Sequence, residues 1–211
     1  MTATSPSRRA VLIDVGGVLM PDDLTAAATF WGGRLGIPPH AFLAAVFAGS
    51  DDHVLIGRTS EVAWWRIIAD RLHVGEDVVA AIRHDLTVRQ TWDTDLLTGL
   101  RRVRDRATIA IVSNAWPDMR ESIADAGWDF ADAIILSCDV GYAKPDVRIY
   151  ETALHRIGVD AGDALFIDDT PGHVETARSL GMTGHIHTHT GETLDRIEHF
   201  VQSQGPGGPP T

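Results

Sequence analysis

Apolar residues in this chain fall into two kinds of pattern. Five short runs, at residues 10–15, 108–113, 133–136, 164–167 and 184–188, mostly lack polar alternation. Such runs read as strands covered on both faces. Between the later runs, apolar positions recur at helical spacing. Residues 95–106 set Leu96, Leu97, Leu100 and Val103 on one stripe. Residues 145–157 open on a proline and stop before Gly158, and residues 171–180 stop before Gly181. Strands alternating with helices predict an α/β fold: a Rossmann-like parallel sheet of about five strands in a three-layer α/β/α core.

After the first strand the rhythm breaks. Residues 22–35, 40–47, 60–72 and 76–86 all read as helices, with no convincing strand among them. In the third, Trp64, Ile68 and Leu72 share a face, Ser60 is placed to cap the start, and Gly75 lies beyond the end. The chain therefore divides into a core of residues 1–21 and 91–204 and a helical insert of residues 22–90. The tail, 205–211, reads GPGGPPT and is expected to be disordered. An insert at this point lies over the carboxyl ends of the strands, where open α/β sheets bind ligands.

A length of 211 residues suits one α/β domain with a modest insert. The excess of 29 acidic over 18 basic residues gives a net charge of −11. That surface repels nucleic acid and anionic lipid, so neither is an expected partner. It also repels anionic substrates, so a phosphate site must bring its own positive charge. The single cysteine, Cys138, excludes an intrachain disulfide and fits a reducing compartment. No apolar run approaches the roughly 20 residues of a membrane span. The apolar stretch at residues 10–13 is shorter than the about 7–15 residues of a secretory signal. The expectation is a cytoplasmic monomer or homodimer.

Four short segments carry candidate chemistry, each at an expected strand end or helix start. They are Asp14-Val15-Gly16-Gly17, Ser113-Asn114, Lys144-Pro145 and Asp168-Asp169. A parallel sheet brings all four to one edge. Three carboxylates offer the hard oxygen ligands that Mg²⁺ prefers, and Lys144 and Ser113 offer donors to phosphate oxygens. Taken singly, each segment reads as an ordinary turn, cap or exposed lysine. Their agreement outweighs those readings.

In order and approximate spacing, Asp14, Ser113, Lys144 and Asp168-Asp169 resemble the four motifs of the haloacid dehalogenase-like hydrolase superfamily. The resemblance runs from about Ala10 to Gly181, and GYAKPDVRIY and IDDTPGHVETARSLGM are close to the family's wording. The insert matches that family's small helical (C1-type) cap. The resemblance implies a Mg²⁺-dependent phosphatase acting on a small phosphorylated metabolite, with Asp14 as the nucleophile that becomes an aspartyl-phosphate. It implies phosphate binding by Ser113, Asn114 and Lys144. It places the metal on Asp14, the Gly16 carbonyl, Asp169, and Asp168 directly or through water.

The chain departs from the family at Gly16, where its phosphatases usually carry the aspartate that protonates the leaving group. Glycine here resembles sugar-phosphate phosphatases. The missing acid is replaced by His53 or Asp52 of the insert or by water, or the substrate carries a good leaving group such as an anomeric or acyl phosphate, or the protein is slow. His173 stands where the family often has Asp or Asn. It orients Lys144 or Ser113, or caps a helix start, the latter being the plainer reading. His185, His187 and His189 alternate on one strand face without a carboxylate tied to them by spacing, which argues against a metal site. Two competing functions remain: a metal-free dehalogenase using Asp14 against carbon, and a non-catalytic binding protein of the same fold.

Overall fold

The structure is a computed structural model and describes residues 8–21, 24–47, 53–117, 119, 128 and 130–203. The expected tail at 205–211, the start of the first helix at Asp22, and Asp52 lie outside the described residues. Strands β1 (Ala10–Ile13), β2 (Thr108–Ser113), β3 (Ala133–Leu136), β4 (Ala164–Asp168) and β5 (Thr183–Ile186) form one parallel sheet. Its order is β3-β2-β1-β4-β5. Central β1 pairs Ile13 with Ile111 on one side and Ile167 on the other. The residues that follow these three partners therefore emerge side by side.

Alternate residues feed opposite faces of the sheet. Val11, Ile13, Ile109, Ile111, Leu165 and Ile167 pack beneath helices α5 (Thr94–Val103) and α9 (Thr190–Gln202). Leu12, Val112 and Phe166 face the other way, against Ile149 and Tyr150 of α7 (Val147–Ile157) and Val174 of α8 (Pro171–Ser179). A short helix, α6 (Ser137–Val140), follows β3. Helix α9 lies outside the pattern read above, although Thr193, Ile197 and Phe200 bury its inner face at helical spacing. Pro145 also differs from its expected place. It precedes the helix rather than opening it, because Asp146 is the N-cap and accepts the Arg148 N–H at 3.0 Å. Pro171 does occupy a helix start. Among the described residues, no helix is long and apolar enough to cross a membrane.

Among the described residues, four helices separate β1 from α5: α1 (Leu24–Leu35), α2 (Pro39–Phe47), α3 (Glu61–Leu72) and α4 (Glu76–Val88). They enclose their own apolar cluster, which includes Trp31, Phe42, Trp64, Trp65, Ile68 and Ile82. The Ser60 hydroxyl caps α3 by accepting the Ala63 N–H at 3.2 Å. His73 ends α3 in a left-handed conformation, and Gly75 instead precedes α4. The Trp31 indole and the Arg89 guanidinium both donate to Asp85, at 2.9 and 2.7 Å, tying α1 to α4. Trp116, in the loop after β2, joins this helical cluster to the sheet. Its ring stacks on Phe47 at 6.0 Å and meets Trp65 edge-on at 5.6 Å.

Two adjacent glycines in α1 test the packing of the insert. A Cβ on Gly32 would lie 2.8 Å from the Ile37 carbonyl oxygen, a backbone atom that cannot rotate away. A Cβ on Gly33 would meet nothing within 4 Å. Gly32→Ala is expected to destabilise the chain by about 1–3 kcal/mol through overpacking. Gly33→Ala is expected to stabilise it by up to about 1 kcal/mol through helix propensity. Urea denaturation of the two variants should give midpoint shifts of opposite sign; shifts of the same sign would refute the packing described.

Candidate active site

The site forms where three strands end. Asp14 follows β1 and is fastened to β4 by its backbone N–H, which donates to the Ile167 carbonyl at 3.0 Å. Ser113 closes β2, Asp168 closes β4, and Lys144 arrives in the loop before α7. Its ammonium, fully buried, lies 2.8 Å from Asp14 Oδ1 and 2.6 Å from Asp168 Oδ2. The Val15 N–H also donates to Asp14 Oδ1, at 2.7 Å.

Asp168 has further partners. Oδ1 accepts the Thr170 N–H at 2.9 Å, and His173 Nδ1 lies 3.0 and 3.1 Å from the two carboxylate oxygens. His173 therefore does more than begin a helix: its ring is a partner of the acid that holds Lys144. The Tyr150 hydroxyl donates to the His173 carbonyl at 3.0 Å. Burial raises the Tyr150 pKa, which keeps that hydroxyl protonated.

Asp169 is exposed, yet its carboxylate is drawn over the loop after β1. A Cβ on Gly17 would run into the Asp169 carboxylate, which would have to turn aside, and Gly17 has φ +71°, where any L side chain is strained. Ligand atoms of Asp14, Asp168 and Asp169 all lie within 4.8 Å of one another, the one such acid cluster among the described residues. Three carboxylates so close together fit a hard divalent cation. A Cβ on Gly16 would meet nothing within 4 Å.

The side chain of Asn114 turns toward the Lys144 backbone rather than into the site. Its Oδ1 accepts the Lys144 N–H at 2.7 Å, and its Nδ2 donates to the Lys144 carbonyl at 2.9 Å. Nothing in the residue type distinguishes this clamp from a phosphate contact. The Ser113 hydroxyl is buried with a single long contact, 3.5 Å to the Asn114 carbonyl, and so keeps donor capacity.

His53 is exposed, with its carbonyl accepting the Arg58 and Thr59 N–H groups in a turn. His185 and His187 both reach the buried Thr193 hydroxyl, at 3.0 and 2.8 Å, and His189 caps α9. Their alternation serves the docking of α9.

A family model of haloacid dehalogenase-like hydrolases matches residues 8–181, which takes in Asp14, Ser113, Lys144, Asp168 and Asp169. The chain belongs to this family. Proteins similar in sequence to this haloacid dehalogenase-like hydrolase include the pig protein named bifunctional epoxide hydrolase 2. That protein is 26% identical over 96% of this chain, and the match spans 41% of its own length. Phosphatase MT3486 of Mycobacterium tuberculosis is 35% identical over 36% of this chain and 36% of its own length. A haloacid dehalogenase-like enzyme of Bacteroides thetaiotaomicron, solved in complex with magnesium and inorganic phosphate, shares the fold. Its TM-score is 0.70 at 20% identity, covering 90% of this chain and 98% of that one. Dehalogenases also stand among the similar structures.

The electrostatics of the cluster set its pH behaviour. Burial pushes the Asp14 carboxyl from 3.8 up to about 6; Lys144 opposes this rise and the Asp168 carboxylate adds to it. Burial acts on Asp168 too, but there the hydrogen bonds from His173 and Lys144 win and hold the carboxyl at about 2. The folded chain thus protonates Asp14 before the unfolded chain does. Stability from this group rises as pH falls from about 6 toward 4, whereas that from Asp168 is lost only below about 4. In EDTA, the stability difference between wild type and Asp14→Asn is expected to change by on the order of 1–3 kcal/mol between pH 7 and pH 4.5, in favour of wild type at the lower pH. Urea denaturation across that range measures it, and a pH-independent difference would contradict the assignment.

Proposed function

We propose that this chain is a magnesium-dependent phosphohydrolase that attacks a small phosphorylated metabolite with Asp14. The observation that carries the reading is the cluster of Asp14, Asp168 and Asp169, two of which hold one buried ammonium, beside a buried hydroxyl that keeps donor capacity. The magnesium and phosphate bound to the Bacteroides relative support it. A dehalogenase has no need of the exposed third acid, Asp169. Asp14, Asp169 and the Gly16 carbonyl would hold Mg²⁺, with Asp168 taking part directly or through water. The cation supplies positive charge that offsets repulsion between phosphate and carboxylate.

The protein's own groups have distinct tasks. Both hydrogen bonds to Asp14 fall on Oδ1, which leaves Oδ2 to form the bond to phosphorus as the bond to the leaving group breaks. Lys144 and the Ser113 hydroxyl hold phosphoryl oxygens. Asn114 contributes its backbone N–H there, while its side chain fixes Lys144. Water then attacks phosphorus, releasing inorganic phosphate and restoring Asp14. The helical unit α1–α4 acts as the cap over this reaction. The protein works in the cytoplasm, as a monomer or homodimer, without a nucleic-acid or membrane partner.

Asp14→Asn keeps the shape of the side chain but cannot form the acyl-phosphate. Mg²⁺-dependent hydrolysis of p-nitrophenyl phosphate is expected to fall at least about 10³-fold in this variant with the fold intact by circular dichroism. Near-wild-type turnover in freshly purified, undeamidated protein would remove Asp14 from its role.

Gly16 leaves no acid two residues after the nucleophile, and the site has room for one. Rates on aryl phosphates are expected to fall steeply as leaving-group basicity rises. Gly16→Asp is expected to flatten that dependence, raising rates for the poorest leaving groups by up to about 10²-fold. A flat dependence in wild type would mean that another group donates the proton.

A further inference from the structure

A cavity of about 360 Å³ lies between the four-helix insert and the carboxyl edge of the sheet. It adjoins the site at two points. Met20 pairs its carbonyl with the Gly17 N–H at 2.9 Å, and Asn114 directly follows Ser113. An ester with its phosphate at Asp14 therefore has this space for the rest of the molecule.

The lining is apolar. Leu24, Phe47, Leu55 and Leu86 come from the insert, and Met20 and Trp116 from the core. Its few polar side chains are mostly committed elsewhere: the Asn114 amide holds Lys144, and the Arg89 guanidinium is held by Asp85. A sugar would bury several hydroxyls here without partners, each weakening binding roughly tenfold or more. A cavity of this size has room for on the order of a dozen water-sized groups. Among the described residues, none that lines it is a carboxylic acid or a histidine.

We propose that the substrate is an acyl phosphate with an aliphatic chain, a proposal that rests on the phosphohydrolase reading above. The chain fills the apolar cavity. The mixed anhydride answers the missing proton donor, because a carboxylate departs without being protonated. Asp14 forms a bond to phosphorus as the bond from phosphorus to the acyl oxygen breaks, and the electron pair leaves on the carboxylate. Water then cleaves the aspartyl-phosphate, giving one fatty carboxylate and one inorganic phosphate per water consumed.

Chain and linkage are tested separately, above the uncatalysed rate and with saturating Mg²⁺. Along the series from acetyl to decanoyl phosphate, each added methylene is expected to lower KM roughly two- to fourfold until the cavity is full. Leu24→Trp, which narrows the cavity, is expected to move that break to shorter chains. Octyl phosphate is expected to inhibit competitively and to turn over at least about 100-fold more slowly than octanoyl phosphate. A KM that ignores chain length, or a preference for glucose 6-phosphate, overturns the aliphatic assignment. Equal turnover of octyl and octanoyl phosphate overturns the anhydride assignment. If neither p-nitrophenyl phosphate nor acetyl phosphate is hydrolysed, the phosphohydrolase reading fails, and with it the acyl phosphate as substrate. Calorimetric titration of the wild-type chain with octyl phosphate against glucose 6-phosphate still reports the cavity in that case, and equal affinities overturn its apolar preference.

Discussion

A lysine ammonium held out of water between two carboxylates is the interaction on which the rest of this molecule turns. Lys144 is fully buried, as is Asp168, and Asp14 is nearly so. Removing each charge from water costs several kcal/mol, and attraction repays that only where the remaining hydrogen-bonding capacity is filled. Here it is filled. Thr170, His173, Val15 and Asn114 each take up a position that the sheet edge or the following helix provides. Loss of water still tells on Asp14, whose carboxyl is pushed up to about 6 chiefly by burial, with the Asp168 carboxylate adding to the rise. Asp169 completes a cluster of acid oxygens that suits a divalent cation.

The parallel core was legible because burial on both faces leaves a plain mark on the sequence: apolar runs separated by helices of clear period. The convergence of Asp14, Ser113 and Asp168 follows from that core, since each ends a strand and the strands are neighbours. What did not show was orientation. Asn114 reads equally as a donor to phosphate or to backbone, and only the loop that brings Lys144 past it decides. His173 was readable as the start of a helix, but its turn toward Asp168 depends on the angle at which α8 leaves β4. The last helix, α9, has Ile197 and Phe200 at helical spacing but only short apolar stretches, too few to mark it plainly.

The two glycines after Asp14 look alike in sequence and serve opposite ends. Gly17 is filled from outside, by the carboxylate of Asp169, while Gly16 faces open space. The same distinction separates the two halves of the site. Around Asp14 the charged groups hold one another, and in the adjoining cavity most of the lining offers only apolar surface. Sequence likeness to sugar phosphatases rests on Gly16 alone. The character of the cavity depends on residues scattered from Met20 to Met119, which no short motif brings together.

Trp116 sits three residues beyond Ser113, with Phe47 of α2 stacked on it and Trp65 of α3 set edge-on against it. The loop that follows Ser113 and the aromatic contact that holds the insert are thus one short piece of chain. Any swing of α2 and α3 away from the sheet has to part these rings or drag the loop with it. Movement of the insert and movement beside Ser113 become one mechanical event, and an indole at the joint makes that event visible as a change in fluorescence.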